Sequence, residues 1–131
     1  MIYLLDTHIW LWSALAPEKI KPRIARLMQD PDAELWVSTI STWEFFSLAR
    51  KGRIVVTPTP EIWIEGLLRA FPFREAPLTN RIVKGMNQIE MPHRDPADWL
   101  IAATARSLGA TLITSDGDLR RAKGVKILFN G

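Results

Sequence analysis

The chain contains no cysteine. That excludes a disulfide framework, a thiol nucleophile and any cysteine-ligated metal site. It accords with a reducing, intracellular setting, and a cytoplasmic protein is the expectation. Long apolar runs are missing as well. The apolar start, residues 1–5, has no basic region before it and is interrupted by Asp6. Neither a signal peptide nor a membrane span is expected there. Internal repeats, low-complexity tracts and linkers are also lacking.

What is present reads as one domain, residues 1–131, long enough to bury a core. The net charge of +3 permits a polyanionic partner without demanding one. Six tryptophans are many for this length and point to large aromatic packing or an aromatic interface.

Taken in order, residues 1–5 read as a strand and 7–15 as a helix, with Thr7 as a hydroxyl cap. Pro17 opens a second helix to about Gln29, stopped by Asp30-Pro31-Asp32. Residues 35–38 form a short buried strand, and 41–51 a helix closed by Gly52. An extended run, 53–57, precedes Pro58 and Pro60. An amphipathic helix over 61–70 presents Ile62, Trp63, Leu67 and Phe71 as its inner stripe. A strand at 74–78, a weaker helix at 79–88 and a loop at 93–96 follow. The most apolar helix runs 96–108 and ends at Gly109; small Ala102, Ala103 and Ala105 would let it approach a sheet closely. A strand at 111–114, a short helix at 117–123 and a strand at 125–129 complete the chain. Short apolar strands alternating with helices imply an α/β fold, a mostly parallel sheet covered on both faces.

Six acids stand at element ends: Asp6, Glu44, Asp95, Asp98, Asp116 and Asp118. Each has a structural explanation. Ser41 and Glu44 fit a capping box. Asp95 followed by Pro96 fits a helix cap, with Asp98 favoured near the positive end of the dipole. Asp116-Gly117-Asp118 fits a turn. Together they say more. Asp6 ends the first strand, Glu44 lies in the first turn after the second, Asp98 opens the long helix, and Asp116 ends the next strand. In a parallel sheet, strand ends and the helix starts that follow share one edge, the edge where ligands bind. Asp98 is the looser inference, because its helix precedes its strand.

Four ionised carboxylates in one pocket repel. At 4 Å and an effective dielectric near 20, each pair costs on the order of 4 kcal/mol. Either some are protonated or a divalent cation neutralises them. Hard oxygen donors, with no cysteine and scattered histidine, suit Mg²⁺ or Mn²⁺ rather than Zn²⁺. Such a site is apparatus for phosphodiester hydrolysis.

The ordered series LLDTH, STWE, HRDPADWLIAATA and LITSDGDL resembles the PIN-domain nucleases, and among them the VapC toxins of bacterial and archaeal toxin–antitoxin pairs. The third motif is the most specific. The resemblance implies a PIN-like three-layer α/β/α fold and an acidic quartet at Asp6, Glu44, Asp98 and Asp116. It places hydroxyls beside acids at Thr7 and Thr114. Asp95 is the neighbouring acid of the HRDP variant and is read preferentially as a cap; Asp118 lies beyond the pattern. The activity implied is a Mg²⁺- or Mn²⁺-dependent endoribonuclease leaving 5′-phosphate and 3′-hydroxyl ends. A homodimer, a cognate antitoxin covering the active-site groove, and assembly into a larger toxin–antitoxin complex are implied with it.

Other residues weigh less. His93 and Arg94 are candidates for phosphate contact. His8 reads as a solvent-facing helix residue. Arg50, Lys51 and Arg53, and again Arg120, Arg121 and Lys123, either guide RNA or complement helix ends. Trp43, Phe45, Phe46 and Trp63 read as core or interface. Trp10 and Trp12 cannot both be buried on one narrow helix face. Three other readings compete. A phosphatase with an aspartate nucleophile wants a second aspartate where His8 stands. A non-catalytic RNA-binding domain predicts a broken acid set, and this set is intact. A processing nuclease without an antitoxin differs in its neighbouring reading frame.

Overall fold

The first strand, β1 (Ile2–Leu5), is apolar at every position and lies at the centre of the sheet. The computed structural model describes residues 1–92 and 95–131. After β1 come α1 (Thr7–Leu15), a 3-10 turn at Pro17–Lys19, α2 (Pro22–Gln29), β2 (Glu34–Ser38) and α3 (Thr39–Arg50). Then follow α4 (Pro60–Ala70), β3 (Arg74–Ala76), α5 (Asn80–Gly85) and a 3-10 turn at Met86–Gln88. The last elements are α6 (Pro96–Leu108), β4 (Thr111–Thr114), α7 (Gly117–Arg120) and β5 (Lys126–Phe129).

The strand order is β3-β2-β1-β4-β5, and every pairing is parallel. Strand alternation divides the core into two layers. Tyr3, Leu5, Leu35, Val37 and Ile113 face one side, where Ile9, Trp10, Ile24, Phe45, Ile64 and Leu67 of α1 to α4 cover them. Leu4 and Leu112 face the other, against Ile82, Ile101, Ala102, Ala105 and Leu119 of α5, α6 and α7. The architecture is the expected three-layer α/β/α arrangement. Ala102, Ala103 and Ala105 are at most 1% exposed. Added methylenes there would overpack the helix–sheet contact, at about 1–3 kcal/mol. Gly109 ends α6 in the left-handed region, φ +65°, where a side chain would be strained.

The chain leaves β1 for β2 on one side, while β4 returns on the other. The sheet order therefore reverses at β1, and the carboxyl end of β1 is the switch point where α/β sheets open a crevice. Asp6 occupies it.

Several expected boundaries moved, each for a local reason. Thr7 is the first helical residue of α1 and not its cap; Asp6 is the cap, accepting from Thr7 N at 2.8 Å. The helix expected over 17–29 is split, because Pro22 starts a new helix after an extended Ile20. Ser38, not Ser41, caps α3, accepting from Ile40 N at 3.0 Å. Residues 53–57 form no strand. On α4 the buried residues are Ile64 and Leu67, whereas Ile62 and Phe71 are exposed. Trp63 stacks on Phe45 at 5.3 Å, and that contact sets which side of α4 faces inward. Trp10 is fully buried and Trp12 half-buried, as one narrow face requires. Among the described residues, no helix is long and apolar enough to cross a membrane.

Candidate active site

Asp6 is held from three directions at the end of β1. Its backbone N–H donates to Ile113 O at 2.9 Å, its Oδ1 accepts from Thr7 N, and its Oδ2 accepts from the Thr114 hydroxyl at 2.7 Å. Asp6 is 4% exposed. Burial raises its pKa; the Thr114 and Thr7 hydrogen bonds oppose that rise.

Glu44 lies on α3, beyond its first turn, because the helix begins at Thr39. It does not cap the helix. Its Oε1 accepts from Thr7 Oγ1 at 2.5 Å, which ties α3 to the start of α1. Thr7 Oγ1 also lies 2.8 Å from Ser41 Oγ. A threonine hydroxyl has one proton. With that proton on the Glu44 carboxylate, the Ser41 hydroxyl is left to donate to Thr7. Burial raises the Glu44 pKa, and the charges of Asp6 and Asp95 add to the rise.

Asp98 sits in the first turn of α6, 8% exposed. Burial, then the negative charges of Asp6, Asp95, Asp116 and Glu44, push its carboxyl up to about 8. That pattern is the electrostatic signature of acids facing one another, and it brings Asp98 into the group although its helix precedes β4. Asp116 caps α7 with a single oxygen, Oδ1, accepting from Asp118 N at 2.7 Å and Leu119 N at 3.2 Å. Its backbone N–H donates to Thr114 Oγ1 at 3.0 Å, so one threonine touches both Asp6 and Asp116.

The fold thus gathers Asp6, Glu44, Asp98 and Asp116, with Thr7 and Thr114 between them. Asp95 caps α6, accepting from Ala97 N at 3.0 Å, while its charge still reaches Asp98 and Glu44. Asp118 turns to Arg121, a surface ion pair. His93 and Arg94 lie outside the described residues. Among the described residues, no three acidic or histidine side chains close into a ready ion-binding group. His8 is exposed, and its proximity lowers the pKa of Asp6 and Glu44, against the rise that burial causes. Arg120 packs over Phe129 at 4.4 Å, so the second basic cluster serves the surface of β5 at least in part.

Two residues escaped the sequence pattern. Ser41 read as a cap, although Ser38, closing an apolar strand, was the competing signal. Asn130 carried no signal at all. It is 6% exposed, accepts from Lys21 N at 2.7 Å, and donates through Nδ2 to Lys19 O at 3.0 Å and Ser115 Oγ at 2.8 Å. It laces the chain end to the turn before α2 and to the residue beside Asp116. A cavity of about 440 Å³ lined by Ile20, Met28, Leu35, Phe71 and Phe73 lies at the opposite edge of the sheet and holds none of the four acids.

Comparison with known proteins bears on the family and the fold. The PIN domain family matches residues 3–125. Ribonuclease VapC22 of Mycobacterium tuberculosis is 32% identical over 120 residues, covering 89% of this chain and 88% of that protein. The crystal structure of VapBC2 from Rickettsia felis bound to a promoter DNA fragment superposes with a TM-score of 0.71 at 17% identity, covering 98% of each chain. DNA-bound VapBC from Salmonella typhimurium gives 0.71 at 18% identity, over 100% of this chain and 99% of that one. At such identities the two structures speak to the fold alone. The family match over residues 3–125 and the relative at 32% identity establish that this protein belongs to the PIN-domain family, among the VapC ribonucleases.

Proposed function

We infer that this protein is a divalent-metal-dependent endoribonuclease, the growth-inhibiting toxin of a toxin–antitoxin pair, with Asp6, Glu44, Asp98 and Asp116 as its catalytic acids. The observation that carries the reading is geometric: Thr114 Oγ1 touches both Asp6 Oδ2 and the Asp116 N–H, and Thr7 ties Glu44 to the same end of β1, beside an Asp98 whose pKa burial and the neighbouring acids raise. A site built to repel its own charge is built for a cation. The donor chemistry fits one. All four candidate ligands are hard carboxylate oxygens, suited to Mg²⁺ with Mn²⁺ as the second choice.

When bound, the ion would offset charge on the phosphate oxygens and lower the pKa of water at the site. The chain's own part is orientation. Thr114 and the Thr7 N–H hold both oxygens of Asp6. Thr7 aims Glu44 into the same space. Burial and the surrounding acids raise the Asp98 pKa, and a bound cation would favour its ionised form. Asp116 keeps Oδ2 clear of the α7 cap, available to the ion.

The VapBC names of the neighbouring structures support an antitoxin partner. A homodimer within a larger toxin–antitoxin complex, in the cytoplasm with its RNA substrate, belongs to the same reading. The test is incubation of antitoxin-free protein with total RNA, with and without Mg²⁺ or Mn²⁺, beside Asp6→Asn. Discrete metal-dependent fragments that vanish in the variant are expected. A folded protein that binds RNA and cleaves none with either metal would be a binding domain instead.

A further inference from the structure

His8, Trp12 and Leu15 recur at helical spacing and share one face of α1. With Lys19 from the next turn, and Leu48 and Arg53 from the end of α3 and beyond, that face encloses a groove of about 410 Å³. This falls in the roughly 300–1,000 Å³ range of small-ligand sites. One end of the groove adjoins the acids. His8 follows Thr7, which hydrogen-bonds Glu44, and Leu48 lies about one helical turn beyond Glu44 on α3. Lys19 and Arg53, both exposed, line the same groove: Arg53 N–H donates to Leu48 O at 3.0 Å, and Lys19 Nζ lies 5.3 Å from the Trp12 ring.

The lining is apolar and aromatic with cations, and it contains no carboxylate. Trp12 is half-buried, with the His8 ring at 5.8 Å and Lys19 Nζ at 5.3 Å from its ring. Flat apolar groups joined by negative charges match such a surface. Single-stranded RNA has that chemistry: bases stack on aromatic side chains, and phosphates take the cations.

Resting on the ribonuclease reading above, we propose that the groove between α1 and the end of α3 is a substrate-strand subsite. A nucleobase neighbouring the scissile position lodges beside Trp12, and its phosphate is held by Lys19 and Arg53. The subsite then bears on which sequences are cut. A purely apolar peptide occupant would use the floor but leave the cations without a role.

Two measurements test this. In an Asp6→Asn background, binding of a short labelled single-stranded RNA is titrated across a salt series, with and without Lys19→Gln and Arg53→Gln. Both cations are exposed, so the double variant keeps the fold. The slope of log K against log salt should fall in magnitude by about 0.7 for each cation removed. In the active protein, Trp12→Leu should raise KM about tenfold or more with kcat nearly unchanged, after circular dichroism has verified its fold. An unchanged salt slope together with an unchanged KM would overturn the subsite. So would variants that cleave normally and merely escape inhibition by the antitoxin, because the groove would then belong to a peptide. A wild-type protein that cleaves no RNA would instead defeat the ribonuclease reading, and the binding titration would still decide the groove.

Discussion

Thr114 and Asp6 are 108 residues apart in the chain and 2.7 Å apart across the β1–β4 pair. The same hydroxyl accepts from the Asp116 backbone, so one side chain sets the relative position of two acids. Thr114→Val keeps the shape of the side chain and removes the hydrogen bonds. Partners that orient ligands are typically worth about 10–100-fold in metal affinity or activity. We expect RNA cleavage to fall by that order with the fold retained, and Thr114→Ser to restore most of it. Cleavage rates beside a far-UV spectrum check this; equal loss in the valine and serine variants would contradict it.

Glu44 and Ser38 can be separated in the same way. Had Glu44 been the far half of a capping box, glutamine would have replaced it. The cap is Ser38, and Glu44 accepts from Thr7 instead. Glu44→Gln should therefore lose cleavage with little change in melting temperature. Ser38→Ala should lower stability by about 1 kcal/mol. A glutamine variant with normal turnover would return Glu44 to a structural role.

Asp98 makes a pH prediction with a definite sign. Its carboxyl rises from 3.8 to about 8 on folding. Between those values the unfolded chain has released a proton that the native state keeps, so the metal-free protein loses stability as pH rises through that window. Melting temperatures in chelator should fall from pH 5 to pH 8, and Asp98→Asn should flatten the fall. Added Mg²⁺ should raise the melting temperature more at pH 8 than at pH 5. A metal-free melting temperature that climbs with pH, unaltered by Asp98→Asn, would remove Asp98 from the buried acid group.

Asp118 provides the contrasting case. It pairs with Arg121 at the surface, where an ion pair is worth little, about 0–1 kcal/mol. Asp118→Asn should keep cleavage within a few-fold of wild type and leave the metal requirement unchanged. A loss comparable to Asp6→Asn would place it among the catalytic acids.

Much of this was legible in the chain itself. Alternating apolar strands and helices, and an Asp-Pro cap before a run of small residues, determine α6 and β4 to the residue. Those signals are local: side-chain period, a proline that cannot donate, a glycine that tolerates positive φ. Three of the four candidate acids carry an equally local signal, since Asp6 and Asp116 follow strands and Asp98 opens a helix, whereas Glu44 lies beyond the first turn of α3. Tertiary structure alone decided which structural explanation held: Asp116 does cap α7, whereas Glu44 caps nothing. Ser38 and Ser41 offer the same cap chemistry, and only the β2 register, ending the strand at Ser38, chose between them. For Asp98, the looser inference because its helix precedes its strand, it is the packing of α6 against the sheet that brings the carboxyl within reach of the other acids' charges. Asn130 had no local pattern, because all its partners are either more than a hundred residues away or across the β4–β5 edge. Hydrogen bonds and desolvation act through space, so the shared charge that defines this site appears only once the chain has closed around it.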